Sequence, residues 1–242
     1  MNLSLQLQAQ AGRLMPIDIE KGAVLLVNKP YEWTSFDVVK KIRNALQRKF
    51  NRKIKVGHAG TLDPLATGLL LICVGKATKA IESFTNLDKE YTGTMHLGAT
   101  TPSFDLETPV DKNFPVEHIT PELVRETTKK FLGESKQSPP VFSAVKVDGK
   151  PVYKKARKGH HVEIKPRNIS IDLFEITDIQ LPLVKFRVRC SKGTYIRSLV
   201  HDFGKALGSG AYLHDLCRIK IGEFSIEKAI ELNELIQQIS ER

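Results

Sequence analysis

Hydrophobic residues recur along this chain of 242 residues with two different periods, and the two kinds of segment alternate. Segments with the composition of strands lie at about residues 23–28, 69–74, 91–97, 141–147, 168–180 and 183–190. Segments with helical features lie at about residues 35–47, 76–84, 121–131 and 195–207, and after Asn233. No repeat or low-complexity tract interrupts this order. The order of elements by itself predicts an α/β or α+β fold.

The first predicted helix shows the pattern most clearly. Either Thr34 or Ser35 can cap its N-terminus, because a hydroxyl accepts a hydrogen bond from the first turn. Its apolar residues recur at helical spacing, at Phe36, Val39, Ile42, Ala45 and Leu46. This spacing predicts that the five apolar residues face the core and that the charged residues of the helix face outward.

A glycine-rich stretch, residues 57–68, follows that helix and contains a single carboxylate, Asp63. Glycines at 57, 60 and 68 permit backbone conformations and close approaches that a side chain would forbid, and Pro64 restricts the chain directly after the acid. Such a loop can hold a reactive group rigidly. The residues alone equally allow a turn in which Asp63 caps a following helix.

Five ordered blocks, from about residue 22 to about residue 232, resemble the motifs of one enzyme family. They are Leu25–Pro30 with Trp33-Thr34-Ser35; the stretch 57–68; Lys89-Glu90-Tyr91; Ser143-Ala144-Val145-Lys146 with Tyr153, Ala156, Arg157 and Gly159; and residues 190–197. The family is that of the bacterial tRNA uridine-55 pseudouridine synthases, the TruB family. The form Leu65-Ala66-Thr67-Gly68 is more similar to the bacterial stand-alone enzymes than to the RNA-guided branch of archaea and eukaryotes.

The resemblance implies a fold and an activity. The fold would be the α+β pseudouridine synthase fold, a mixed, mostly antiparallel sheet flanked by helices, with a catalytic cleft across it. The activity would be isomerisation of uridine 55 in the T-loop of tRNA, with the T-arm as partner. The reaction breaks one glycosidic bond and forms another to the same ribose, so neither a cofactor nor a metal is expected. The alternative is a non-catalytic RNA-binding or tRNA-folding protein on the same scaffold.

Three residues correspond to the catalytic residues of the family. Asp63 would be the catalytic aspartate, and Arg197 would pair with it. The pairing would keep Asp63 ionised, since a nearby cation favours the charged form of an acid. Tyr91 would stack on the flipped uracil. Without the resemblance, Arg197 is a surface arginine near a helix start, and Tyr91 is a strand tyrosine that packs on the core.

Further residues would contact or support the flipped nucleotide. His58 would fill the gap that the extruded base leaves, because an enzyme that acts on a base must take it out of the stack. Tyr195 and Leu216 would line the pocket, although Leu216 alone suggests a core leucine. Lys29, with Pro30, would support the tyrosine from a neighbouring strand. Asp105 is either a partner of the active-site arginine or tyrosine, or a turn cap.

The charge of the chain agrees with a polyanionic partner. Lysine and arginine number 37 against 27 acidic residues, which gives a net charge of +10 and a pI of about 9.5. Basic residues form two clusters, one between Asp37 and Lys55 and one from Lys146 to Arg167. Each cluster is either a solvated face or a set of phosphate contacts, which would give salt-dependent affinity without sequence specificity.

The remaining features concern domains and location. No apolar run approaches the roughly 20 residues of a membrane span, and the N-terminus lacks the pattern of a signal peptide, so no membrane association and a cytoplasmic location are expected. Three scattered cysteines suggest neither a disulfide framework nor a zinc site. The predicted organisation is a leader (1–20), a catalytic domain (21–232) in which 100–140 is a possible RNA-gripping insertion, and a C-terminal helix (233–242) without a PUA domain. A monomer is expected.

Overall fold

The computed structural model describes residues 9–10, 13–14, 18, 20–142, 146–147, 150–151 and 165–241. Most of the predicted leader lies outside the described residues, as do most of the motif at 143–159 and half of the second basic cluster. The chain forms two compact units. Unit 1 comprises the residues up to Tyr91 together with Cys217 onward, and unit 2 comprises Thr92–Leu216.

The strands, in chain order, are β1 (Ala9–Gln10), β2 (Arg13–Leu14), β3 (Ala23–Lys29), β4 (Val56–Ala59), β5 (Ala66–Val74), β6 (Lys89–Leu97), β7 (Ala99–Thr100), β8 (Lys112–Asn113), β9 (Gly133–Gln137), β10 (Lys146–Val147), β11 (Lys150–Pro151), β12 (Arg167–Gln180), β13 (Leu183–Cys190), β14 (Ala211–Ile221), β15 (Phe224–Ser225) and β16 (Ile230–Glu231). The α-helices are α1 (Ser35–Phe50), α2 (Ile81–Thr85), α3 (Pro121–Thr128), α4 (Ile196–Ala206) and α5 (Leu232–Glu241). Short 3-10 helices occupy Gly75–Ala80, Lys129–Phe131 and Ile226–Lys228.

Helix α1 begins where the sequence predicts, because Thr34 and Asp37 form a reciprocal capping box at its N-terminus. Its buried residues include Val38, Val39, Ile42 and Leu46. The prediction for Phe36 is wrong, since this side chain is 61% exposed. The guanidinium of Arg43 lies 5.8 Å from the centre of the Phe36 ring, which partly compensates for its exposure.

The sheet of unit 1 has the order β16-β3-β5-β14, with β4 also paired to β5. Strands β3 and β5 are antiparallel, with Ala23 opposite Val74 and Lys29 opposite Gly68, whereas β16 and β3 are parallel. Both faces are covered. One core contains the apolar residues of α1 and α5, and the other contains Ile221 and Phe224. Strands buried on both faces are continuous apolar runs, which explains the pattern of β3 and β5.

The sheet of unit 2 has the order β14-β6-β13-β12-β9. Strands β12 and β13 form a long antiparallel pair, and β9 continues it antiparallel along β12. Four phenyl rings form the core between this sheet and α4, with centroids 5.3 to 6.1 Å apart. They belong to Phe131, Phe174, Phe186 and Phe203.

The predicted α+β class is confirmed, with corrections to individual elements. Strands β4, β9 and β14 were not predicted. The helices predicted at 76–84 and 121–131 are each a combination of α-helix and 3-10 turn. Residues 141–142 form a bend, so within the described residues the strand predicted at 141–147 is limited to Lys146–Val147. None of the described helices is long and apolar enough to cross a membrane.

Candidate active site

Asp63 lies in the short loop between β4 and β5, so the glycine-rich stretch is a strand, a loop and a second strand. The side chain is partly exposed. The next element is a strand, and the backbone carbonyl of Asp63 accepts a hydrogen bond from the Ala66 amide at 3.1 Å. The alternative in which Asp63 caps a following helix is therefore wrong. The loop presents the carboxylate at the end of the sheet of unit 1.

A buried arginine that the sequence analysis missed holds this loop. Arg218 on β14 is 1% exposed. It donates from Nη2 to the Gly60 carbonyl at 2.9 Å and from Nη1 to the Thr61 carbonyl at 3.5 Å. Its Nε donates to the Leu69 carbonyl on β5 at 2.8 Å. The segment around Arg218 had not been predicted as a strand, because Arg218 and Lys220 interrupt its apolar pattern.

Lys29, at the end of β3, is fully buried and holds the other side of the loop. Its Nζ donates to three carbonyls, those of Pro30 at 2.8 Å, Trp33 at 2.6 Å and Pro64 at 3.1 Å. Burial lowers the pKa of Lys29 to about 8, although the nearby Asp63 opposes the shift and Arg218 adds to it. The loop of Asp63 is thus flanked by two buried basic side chains.

Tyr91 lies on β6 and is 8% exposed. The hydrogen-bonded neighbours of β3, the strand of Lys29, are β5 and β16. Strands β3 and β6 are therefore not hydrogen-bonded neighbours, and support of Tyr91 by Lys29 stays a prediction. The hydrogen bonds of Lys29 go to backbone carbonyls around the loop of Asp63. Stacking of Tyr91 on uracil stays a prediction.

His58 lies on β4, not in a loop, and its side chain is half-buried. Its Nδ1 has no hydrogen-bond partner among the described residues. Burial lowers the pKa of His58, and the positive charge of Arg218 lowers it further, so the neutral imidazole is favoured. Its predicted role in filling the stack of the RNA is not tested by these contacts.

In unit 2, Arg197 is the second residue of α4 and is 3% exposed, which excludes a surface arginine. Its Nη1 donates to the carbonyls of Ser103 at 3.2 Å and Phe142 at 2.9 Å. Its Nε lies 3.6 Å from Oδ2 of Asp105. Asp105 therefore does pair with the arginine, and it also caps a turn, because Oδ1 accepts the amide of Glu107 at 3.0 Å.

Phe104 lies between Ser103 and Asp105, which both contact Arg197, and has an unusual backbone conformation. Phe104 has φ +65°, a left-handed conformation that is costly for a bulky side chain. Its ring stacks on His201 of α4, with centroids 3.8 Å apart and planes at 13°. The Leu213 amide donates to the Phe104 carbonyl at 2.9 Å. These contacts hold Phe104 in place and with it the segment that binds Arg197.

The two predicted pocket residues of unit 2 differ in burial, since Tyr195 is only half-buried. Tyr195 immediately precedes α4, and Gln137 on β9 binds it twice, with the Tyr195 amide donating at 2.8 Å and Gln137 Nε2 donating back at 3.0 Å. Leu216 on β14 is 8% exposed. Gln137 was not predicted, and no motif pointed to it. The pocket roles of Tyr195 and Leu216 stay predictions.

Most of the first basic cluster is exposed on α1 and the segment that follows it. The exposed members are Lys40, Lys41, Arg48, Lys49, Arg52, Lys53 and Lys55. Arg52 forms an ion pair with Glu20 at 2.7 Å, and Lys49 Nζ donates to the Ile239 carbonyl at 2.7 Å. The others leave a positive surface on unit 1. Of the second cluster, Lys165 and Arg167 are exposed.

Comparison with known proteins identifies the family. The model of the TruB family pseudouridylate synthase N-terminal domain matches residues 47–196, and the tRNA pseudouridylate synthase B C-terminal domain matches 197–241. The chain is 54% identical over 221 residues to tRNA pseudouridine synthase B of Flavobacterium johnsoniae, which covers 90% of this chain and 96% of that protein. The chain belongs to the TruB family. For the Parabacteroides distasonis relative of the same name, identity is 53% over 226 residues, covering 92% and 96%.

Solved structures show the same fold. A chain of the archaeal box H/ACA sRNP Nop10-Cbf5 complex matches this TruB family member with a TM-score of 0.65 and 30% identity, over 90% of this chain. A chain of an H/ACA RNP bound to a substrate RNA containing 2'-deoxyuridine gives a TM-score of 0.65 and 27% identity, over 96% of this chain. The chain spans 54% and 61% of those two chains. The higher identity to the bacterial relatives agrees with the predicted bacterial type.

Proposed function

We propose that this TruB family member isomerises uridine 55 in the T-loop of tRNA to pseudouridine. Membership of a family of pseudouridylate synthases and the high identity to proteins named tRNA pseudouridine synthase B support the reaction and the substrate. One observation about the site carries the proposal. The only carboxylate of the glycine-rich loop, Asp63, lies on a backbone that two buried basic side chains hold through its carbonyls.

The reaction needs few chemical groups. The bond between N1 and C1′ breaks, the base turns, C5 bonds to the same C1′, and the proton on C5 is removed while the base regains a proton elsewhere. Electrons and atoms balance without an oxidant, a reductant or a donor of groups. Asp63 supplies the carboxylate beside the ribose, Tyr91 stacks on the detached uracil, and Arg197 is the third catalytic residue.

The protein recognises both the shape and the charge of the RNA. The target uridine leaves the stack of the T-loop, and His58 fills its place, a role that suits a neutral imidazole because the stack is largely apolar. Tyr195 and Leu216 line the pocket of the extruded nucleotide. The exposed lysines of α1 contact phosphates, and residues 100–140 grip the RNA. The protein acts as a monomer in the cytoplasm, with residues 21–232 as its catalytic domain.

Pseudouridine mapping on unmodified tRNA transcript tests the function. Purified protein is expected to modify a single uridine in the T-loop of the transcript. A stem-loop of the T-arm alone is expected to react with a catalytic efficiency within about tenfold of the full tRNA, because readers of RNA loops recognise local shape. Binding without any pseudouridine would favour the alternative, a non-catalytic RNA-binding or tRNA-folding protein. An inert hairpin beside an active tRNA would place essential contacts outside the T-arm.

Salt dependence tests the basic surface. Replacement of Lys40, Lys41, Lys53 and Lys55 by Gln is expected to flatten the slope of log affinity against log salt by about one unit per lost phosphate contact. Lys49 is left in place because its ammonium binds a backbone carbonyl of α5. Removal of lysines from a surface that does not touch RNA would leave the slope unchanged.

A further inference from the structure

We propose that Arg218 is a positioning residue of the reaction: it fixes the backbone on both sides of the Asp63 loop and so sets where the carboxylate meets the ribose. Ser35 holds the middle of the same loop and acts with Arg218. This inference rests on the proposed function, because the rate that it predicts is the rate of pseudouridine formation.

The first support is the reach of the guanidinium. Nη2 binds the Gly60 carbonyl, directly after β4, whereas Nε binds the Leu69 carbonyl on β5. One planar group therefore connects the strand that enters the loop with the strand that leaves it. A rigid fork of five donors suits this task, whereas a lysine ammonium on a flexible chain cannot match the same positions.

The second support is the close approach of the two backbones. Gly68 has φ +104°, and a Cβ there would lie 2.4 Å from the carbonyl oxygen of Arg218 and 2.6 Å from its amide nitrogen. The main chain of β14 at Arg218 is therefore in direct contact with β5 at Gly68. Both the backbone and the guanidinium of Arg218 are therefore fixed. Its hydrogen bonds hold the loop in one position relative to β14.

The third support is charge. An arginine remains ionised in proteins, and burial without a compensating group is costly. Among the described residues Arg218 forms hydrogen bonds to backbone carbonyls and no ion pair. Its positive charge contributes to the lowered pKa values of Lys29 and His58.

Ser35 provides an independent contact with the loop from another element. Its Oγ, buried at the start of α1, accepts the Leu62 amide at 2.9 Å and donates to the Leu62 carbonyl at 3.1 Å. Leu62 immediately precedes Asp63. A small neutral hydroxyl can be removed with less disturbance than a buried arginine, and Thr34 remains as the cap of the helix.

The test compares Arg218→Lys and Ser35→Ala with the parent protein on the T-arm hairpin, with single-turnover rate and affinity measured separately. The rate constant is expected to fall at least about tenfold for Arg218→Lys and about threefold for Ser35→Ala, because small misplacements of a reacting group are costly. Affinity should stay within about twofold, since neither side chain is exposed to RNA. Arg189→Lys, an exposed arginine on β13, is the matched control and should keep the parent rate.

Chemical rescue separates positioning from general damage. Methylguanidinium added to Arg218→Ala is expected to restore part of the rate and to leave Arg189→Ala unaffected. If the Arg218 variants fail to fold, Ser35→Ala decides, and an unchanged rate there overturns the proposal. A parent rate in folded Arg218→Lys also overturns it. An inactive parent protein would instead reject the proposed function, which distinguishes the two failures.

Discussion

The two units hold their predicted catalytic side chains in opposite ways. In unit 1 the protein holds the backbone around Asp63, through the carbonyls that bind Arg218 and Lys29, and leaves the carboxylate partly exposed. In unit 2 the protein holds the side chain itself. The guanidinium of Arg197 is buried and bound by the carboxylate of Asp105 and by two carbonyls.

This difference predicts which substitutions lower activity alone and which also lower stability. Replacement of the partly exposed Asp63 carboxylate leaves the hydrogen bonds that hold the backbone of its loop in place. A buried guanidinium is part of the structure, and its loss leaves carbonyls and a carboxylate without donors, which costs free energy of folding. Substitutions in unit 1 should therefore separate activity from stability, and substitutions in unit 2 should couple them.

The largest expected effect is the loss of activity in Asp63→Asn. The change removes the ionised carboxylate but keeps size and backbone, so turnover should fall by more than about a hundredfold while tRNA affinity stays within a few-fold. The free energy of unfolding should change less than in Arg197→Lys, because the hydrogen bonds to the loop backbone remain. Single-turnover kinetics, filter binding and urea unfolding measure the three quantities. Glu223→Gln, an exposed residue of unit 1, is the control.

Residual activity of Asp63→Asn above a hundredth of the parent value would remove Asp63 from the reaction. A large loss of stability would contradict the view that the loop is held by its backbone.

Arg197→Lys is expected to lower both the rate constant and the free energy of unfolding. Lysine cannot reproduce a guanidinium that binds two carbonyls through Nη1 and faces a carboxylate through Nε. The rate constant should fall by about tenfold or more, and the free energy of unfolding by about 1–3 kcal/mol, the cost of unsatisfied buried polar groups. Urea unfolding and single-turnover kinetics on the same preparations measure both. A loss confined to RNA binding would contradict both the catalytic and the structural role.

Two glycines test the backbone contacts of the units in the same way. Gly68→Ala places a methyl group 2.4 Å from a backbone atom of Arg218 in addition to its positive φ. Gly193, in the motif before α4, has φ +80° but open space around it. Gly193→Ala should lower the free energy of unfolding by about 1 kcal/mol, and Gly68→Ala by several kcal/mol more, because only the methyl group at 68 also clashes with a neighbouring backbone. Thermal unfolding of both variants gives the comparison, and equal costs would contradict the close packing at Gly68.

The sequence predicts the elements whose signals are local. The cap at Thr34, the apolar runs of β3 and β5 and the helical spacing of α4 were sufficient to place those elements. Strand β14 was missed because Arg218 and Lys220 interrupt its apolar pattern, and the reason for a buried arginine lies in carbonyls about 150 residues away in the chain. Phe36 was placed in the core because spacing alone does not show that Val38 occupies the buried face instead.

The candidate site shows the same limit. The family motifs identify Asp63, Tyr91 and Arg197 by their local sequence. They do not show how the backbone is held, since Lys29 and Ser35 bind backbone groups of the Asp63 loop and Gln137 binds those of Tyr195. Any sequence offers such groups. The prediction for Asp105 was confirmed because its carboxylate has a specific chemical partner, a guanidinium. The role of Lys29 could not be read from the sequence in the same way, because its ammonium binds main-chain oxygens.

The smallest expected effect is a pH dependence of stability that belongs to unit 2. Burial, with Lys205 nearby, lowers the pKa of His201 to about 4 in the folded protein, and Asp111 opposes the shift. An unfolded histidine titrates at its ordinary value of about 6.5, so between these values the unfolded state binds more protons. The stabilising contribution of neutral His201 is therefore full above pH 6.5 and is lost as the pH falls towards 4. Asp63 and its loop take no part in it.

A neutral side chain in place of His201 isolates this contribution from the carboxylates and from His58 and His96, whose pKa values are lowered by burial as well. The difference in unfolding free energy between the parent protein and His201→Gln should be constant above pH 6.5. It should shift against the parent as the pH falls towards 4, because only the parent must then bury a protonated imidazole against Phe104. Urea unfolding of both proteins from pH 7.5 to 4.5 gives the curves. Parallel curves over this whole range would show that the stack on Phe104 holds a protonated ring as readily as a neutral one.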